Sequence, residues 1–96
     1  MFEVHQTATF QRWFAGLKDQ QARDRILARI TMLEQGNVGD SKSIGGGVSE
    51  MRIHTGPGYR VYYRRKDRTV FLLLCGGDKG SQKADISRAQ KLAREL

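Results

Sequence analysis

The 96-residue chain holds one cysteine and one proline. Cys75 has no partner for an internal disulfide and no CxxC companion to share a zinc ion. It reads as a small buried hydrophobe at a strand end, and the fold must be held by its core in a reducing compartment, the cytoplasm. No apolar run reaches the roughly 18 residues a membrane span needs, so no membrane partner is expected. The opening MFEVHQTATF has neither the basic flank nor the apolar centre of a secretory signal. HxH and DxD spacings are missing, so neither a metal nor a cofactor is expected. The glycine-rich NVGDSKSIGGG is not a phosphate-binding P-loop, because Lys42 precedes the glycines and no GKS or GKT follows. Repeats and low-complexity tracts are also absent. What is left is an ordinary globular composition, 39% hydrophobic, sized for a single domain over residues 1–96.

Positive charge is plentiful and lopsided. Residues 1–40 carry five Lys/Arg and five Asp/Glu, while residues 41–96 carry twelve against five, so the whole excess of +7 sits in the second part. Such a bias points to a polyanionic partner, a nucleic acid or an acidic protein.

Along the chain, Phe2 and Val4 alternate with Glu3 and His5, a short strand over Met1–Gln6. Thr7 or Thr9 can cap a helix whose Phe10, Trp13, Phe14 and Leu17 form one apolar stripe. A second helix follows Asp19, from Gln20 to about Gln35. Ala22, Ile26, Ile30 and Leu33 turn inward, and Gly36 ends it. Asn37–Gly47 reads as a loop by composition, either a connector or a phosphate cradle. Thr69–Cys75 is apolar on both faces, as a central strand must be, and Gly76–Gly80 breaks it. Ser81 can cap a last helix with Ala84, Ile86, Ala89, Leu92, Ala93 and Leu96 inward, and Lys83, Arg88, Lys91 and Arg94 outward.

The chemistry concentrates in EMRIHTGPGYRVYYR, residues 50–64. Two alternating runs, Glu50–His54 and Tyr59–Arg64, flank a Gly56-Pro57-Gly58 turn, the pattern of a β-hairpin. Met51, Ile53, Tyr59, Val61 and Tyr63 take one face. The other gathers Arg52, His54, Arg60, Tyr62 and Arg64. Three guanidiniums, an imidazole and a phenol on a stiff sheet suit a phosphodiester and a stacked base. A solvated outer face is the plainer reading of the same pattern. The elements together give an α+β fold of order β-α-α-β-β-β-α: a small curved, antiparallel-rich sheet with two N-terminal helices on one face and a C-terminal helix. The arginine face is open or lies under that last helix.

Element order, the Trp13/Leu17 helix and the segments EMRI, GPGYRVYY and LLLCGGDK resemble the RelE/ParE superfamily of toxins from bacterial toxin–antitoxin systems, most of all its HigB-like "addiction module killer protein" branch. The resemblance covers nearly the whole chain. It implies the toxin component of a type II toxin–antitoxin pair, acting as a ribosome-dependent mRNA endoribonuclease, or mRNA interferase. The alternative is a ParE-like, non-enzymatic inhibitor of DNA gyrase. It also implies a cognate antitoxin, of helix-turn-helix type, from the same operon. By position, Arg60 matches the arginine that RNase members set against the scissile phosphate. Arg52 and Lys79 stand where further basic residues are common. Those members place a tyrosine or histidine near the C-terminus, where this chain has Gln82 and Asp85.

The chemistry itself needs little more. RNA brings its own nucleophile, the 2′-OH. The enzyme aligns it, neutralises charge on the phosphorane and moves two protons. Arginines bind phosphate but are poor bases. His54, Lys79 and Asp85 are the candidate proton carriers, and an unperturbed imidazole titrates nearest neutrality. Tyr62, Arg64, Lys83, Gln82 and Asp85 complete the expected RNA-contacting set.

Overall fold

A computed structural model describes residues 1–96. The elements are β1 (Glu3–Gln6), α1 (Ala8–Ala15), α2 (Gln20–Glu34), β2 (Ser41–Gly45), β3 (Val48–Ile53), β4 (Tyr59–Arg65), β5 (Val70–Gly77), a 3-10 turn (Lys79–Ser81) and α3 (Gln82–Glu95). Thr7 caps α1 and Asp19 caps α2, each accepting from the backbone N–H three residues on.

The segment expected to be a loop contains an extra strand. Ser41–Gly45 pairs antiparallel with β3, a connection made by Gly45, Gly46 and Gly47 at φ 93°, 66° and 77°. Only glycine takes three successive left-handed angles cheaply, so the triple glycine is the hairpin turn that folds β2 back. A serine- and glycine-rich edge strand has little hydrophobic alternation to give it away.

The sheet runs β1-β5-β4-β3-β2. β1 is parallel to β5 and every other pair is antiparallel. β5 therefore has neighbours on both sides and is buried along its whole length, as its unbroken apolar run demands. It also continues through Gly76–Gly77, where a break was expected. Those glycines mark close approach: a Cβ at Gly76 would lie 2.3 Å from the Trp13 ring, and one at Gly77 would lie against the Asp85 carboxylate.

Helices cover both faces. α1 and α2 close one core over Phe10, Ile26, Leu33, Met51, Ile53, Val61, Tyr63, Phe71 and Leu73. α3 closes a second over Val48, Tyr62, Leu72, Leu74, Cys75, Ala89 and Ala93. A bulge at Leu74 of β5, opposite the Tyr62–Tyr63 step of β4, lets Leu74 and Cys75 point to the same side, and the Leu74 carbonyl accepts from the Thr7 hydroxyl at 2.6 Å.

α3 departs from its expected pattern. Ala84 and Leu96 are exposed, and Asp85 turns inward with Ala89 and Ala93. Ser81 makes no capping bond to α3. Asp78 caps the 3-10 turn, and the Ser81 hydroxyl donates instead to the Asp85 carboxylate at 2.5 Å.

Candidate active site

Pairing between β3 and β4 sets Arg52 directly opposite Arg60. Like charges facing each other across strands repel, so this register needs an anion nearby. Glu50 supplies it, two residues back on β3 and on the same face. It is only 1% exposed. Its Oε1 lies 3.3 Å from Arg52 Nε and 3.8 Å from Arg60 Nε. Its Oε2 accepts from the Gln82 amide at 2.7 Å and the Tyr62 hydroxyl at 3.2 Å. Burial alone would raise the Glu50 carboxyl. Hydrogen bonds from Gln82, Arg52 and Tyr62 and the charge of Arg60 outweigh it and hold the group below its ordinary value. The same carboxylate, with burial as the larger cause, pushes the Tyr62 phenol well up.

Arg60 is 9% exposed and its one hydrogen bond runs from Nη1 to the Gly58 carbonyl at 3.3 Å. Its Nε is buried without a partner. That buried edge faces Glu50, and the Nη groups, with only the Gly58 bond made, are the donors the guanidinium brings to an open cleft of about 620 Å³ lined by His54, Thr55, Gly56, Pro57, Gly58, Arg60 and Lys79. The turn forms the rim. Gly58, at φ 79°, packs between Arg60 and Lys79, and a Cβ there would lie 3.5 Å from each. No apolar side chain lines the cleft apart from the proline ring. Such a cationic hollow suits an anionic ligand.

His54 stands on the cleft wall, exposed, with Nε2 paired to the Asp40 carboxylate. That hydrogen bond is the main reason the Asp40 carboxyl is lowered. Asp40 is itself placed by Arg29 of α2. The Arg29 guanidinium donates to the carbonyls of Val38 at 3.2 Å, Asp40 at 3.1 Å and Arg52 at 2.6 Å, tying the loop before β2 to β3. An imidazole held at one nitrogen by a carboxylate keeps its other nitrogen available for a proton.

The structure therefore brings Arg60, Lys79 and His54 to one cleft, with Arg52 behind Arg60. The remaining expected RNA contacts are placed elsewhere. Tyr62 is fully buried under α3 with its hydroxyl on Glu50, so it offers no stacking platform. Asp85 is buried and accepts from the hydroxyl of the exposed Ser81, and Gln82 is committed to Glu50. Arg64, four residues or roughly 13 Å further along β4 than Arg60, donates to the Ala93 carbonyl near the end of α3. Lys83 is exposed on α3. Sequence reasoning missed Glu50, Asp40 and Arg29. The hint for Glu50 was a lone acid on a strand face otherwise full of cations.

The fold is that of the toxin RelE. The free form of E. coli RelE bearing two arginine-to-alanine substitutions superposes with a TM-score of 0.74, over 99% of this chain and 98% of that chain, at 17% identity. Residues 12–96 match the family described as phage derived protein Gp49-like (DUF891), and the chain belongs to that family. An uncharacterized protein of Haemophilus influenzae is 46% identical over 94 residues, 98% of this chain and 95% of that protein. The expected α+β architecture and the resemblance to RelE-type folds both stand.

Proposed function

We propose that the protein is the toxin of a toxin–antitoxin pair and acts as an mRNA endoribonuclease. The observation that carries this reading is Arg60: a nearly buried guanidinium with unspent donors at the floor of a cationic cleft, in a chain with the RelE fold. Arg60 grips the non-bridging oxygens of the scissile phosphate through its planar fork. The ribose 2′-OH attacks the neighbouring phosphorus and the P–O5′ bond breaks, leaving a 2′,3′-cyclic phosphate and a 5′-OH. The proton of the 2′-OH passes to His54, steadied by Asp40. Lys79 supplies the proton taken up by the leaving 5′-oxygen. Arg52, half-buried beside Glu50, adds positive potential behind the phosphate. This His54–Asp40 pair takes the place of the C-terminal tyrosine or histidine that the chain lacks.

The partners follow from the same face. An antitoxin of helix-turn-helix type would neutralise the toxin with an acidic segment over the Arg60 cleft, and mRNA on the ribosome would be the substrate. Primer extension on mRNA from cells expressing the protein, with plasmid supercoiling measured in parallel, tests the reading. Cleaved mRNA that requires ongoing translation, with normal supercoiling, is the expected result. Intact mRNA with collapsed supercoiling would replace it with gyrase inhibition.

A further inference from the structure

We propose that Glu50 is a positioning residue, holding Arg60 at the cleft floor without consuming the donors that face the phosphate. The inference rests on the reading of this cleft as the site of the RNA phosphate. Its basis is how the Glu50 oxygens are shared. Oε2 is taken by Gln82 at 2.7 Å and Tyr62 at 3.2 Å, and Oε1 is engaged by Arg52 at 3.3 Å. The carboxylate is thereby fixed from three directions and cannot turn fully onto Arg60. Their separation of 3.8 Å is too long for a hydrogen bond. Attraction remains, since both groups are shielded from water. Arg60 is thus drawn to one place by charge on its buried Nε edge, while its Nη groups make no bond beyond the one from Nη1 to Gly58.

The partners of Glu50 come from three elements. Arg52 extends from β3, Tyr62 from β4, and Gln82 from the first residue of α3. A counter-ion that only offset the buried arginine charge would need no such set. A saturated carboxylate behaves differently from a free one. If the Gln82 donor is removed, Oε2 gains an open lone pair, and the carboxylate can close on Arg60 as a bidentate pair that competes with phosphate. If the negative charge is removed instead, the cleft gains one net positive charge but Arg60 loses its restraint.

These arguments give opposite signs for two substitutions. Gln82→Leu should weaken the binding of inorganic phosphate, read from the Arg60 Nε–Hε signal by NMR, by about tenfold, close to what one charge-assisted bond is worth. Glu50→Gln should tighten phosphate binding, and also the binding of a single-stranded RNA with a 2′-deoxy residue at the cleavage position. Its turnover of mRNA in a translation extract should nevertheless fall by about 10²-fold, the scale of a small misplacement of a reacting group. A purely structural role would lower the melting temperature of both variants and move phosphate affinity in the same direction. Affinities that shift together, or wild-type turnover in folded Glu50→Gln, would overturn the proposal. If the wild-type protein cleaves no mRNA, the reading of function fails, and the direction of the two phosphate shifts still decides the role of Glu50.

Discussion

Replacing Arg60 by alanine separates the structural from the functional share of one side chain. On the sequence alone Arg60 reads as a surface residue whose loss would change stability by less than about 0.5 kcal/mol. Its actual setting demands more. The Glu50 carboxylate lies 3.8 Å away, and both side chains are nearly buried. At that separation and an effective dielectric of about 20 the gross attraction is about 4 kcal/mol, most of it offset by desolvation. Stranding one charge of a buried pair costs about 3–5 kcal/mol. Glu50 is not stranded here, because Arg52, Tyr62 and Gln82 remain on it. The expected loss is therefore about 1–2 kcal/mol, or about 5–15 °C in melting temperature for a domain this size. Cleavage should fall by about 10²–10³, as when one donor to a developing oxyanion is removed. Arg60→Lys should recover most of the stability and little of the rate, since an ammonium keeps the charge but not the fork. Thermal melts and mRNA cleavage on the same preparations read both quantities. A folded Arg60→Ala protein that cleaves at the wild-type rate would refute the site, and an unchanged melting temperature would refute its coupling to Glu50.

Further outcomes follow from single contacts. Glu50 is held below its ordinary 4.5, so the folded chain binds this proton less readily than the unfolded one, and the associated stability is complete above that value and lost as pH falls through the folded one. Melting temperatures measured from pH 7 to 3 should drop below about pH 4.5, and Glu50→Gln should shrink the drop. Gly76→Ala places a methyl 2.3 Å from the Trp13 ring, and urea unfolding should show a loss of about 1–3 kcal/mol. Burial pushes the Cys75 thiol up to about 12, with Asp85 adding to the shift. A thiol reagent at pH 8 should leave the native protein unmodified and react fully once denaturant is added. Lys83→Ala on the exposed side of α3 should weaken RNA binding modestly and reduce its salt slope by about 1, checked by titrations at several salt concentrations.

Sequence by itself determined the elements whose residues repeat at a clear period. The stripe Phe10, Trp13, Phe14 gave α1 its buried side, although the helix stops at Ala15 and Leu17 packs on the same core from beyond its end, and Ala22, Ile26 and Leu33 did the same for α2. The apolar run of β5 placed it centrally, and alternation in the hairpin sorted Met51, Ile53, Val61 and Tyr63 from Arg52, Arg60 and Tyr62. These are local consequences of helix and strand geometry and of apolar burial. Arg60, Lys79 and His54 were also legible as candidates, because cations beside a glycine-rich turn stand out without a structure. Pairing across the chain decided the rest. β2 became a strand only because β3 offered it an edge, and Gly76–Gly77 stayed in the sheet only because Trp13 and Asp85 lie over them. The docking of α3 turned the arginine face from an open platform into a second core, closing Tyr62 away from solvent. It also brought Gln82 onto Glu50, 32 residues earlier. Whether a polar side chain is a contact surface or an internal partner depends on what covers it, and that cover is supplied by residues distant in the chain.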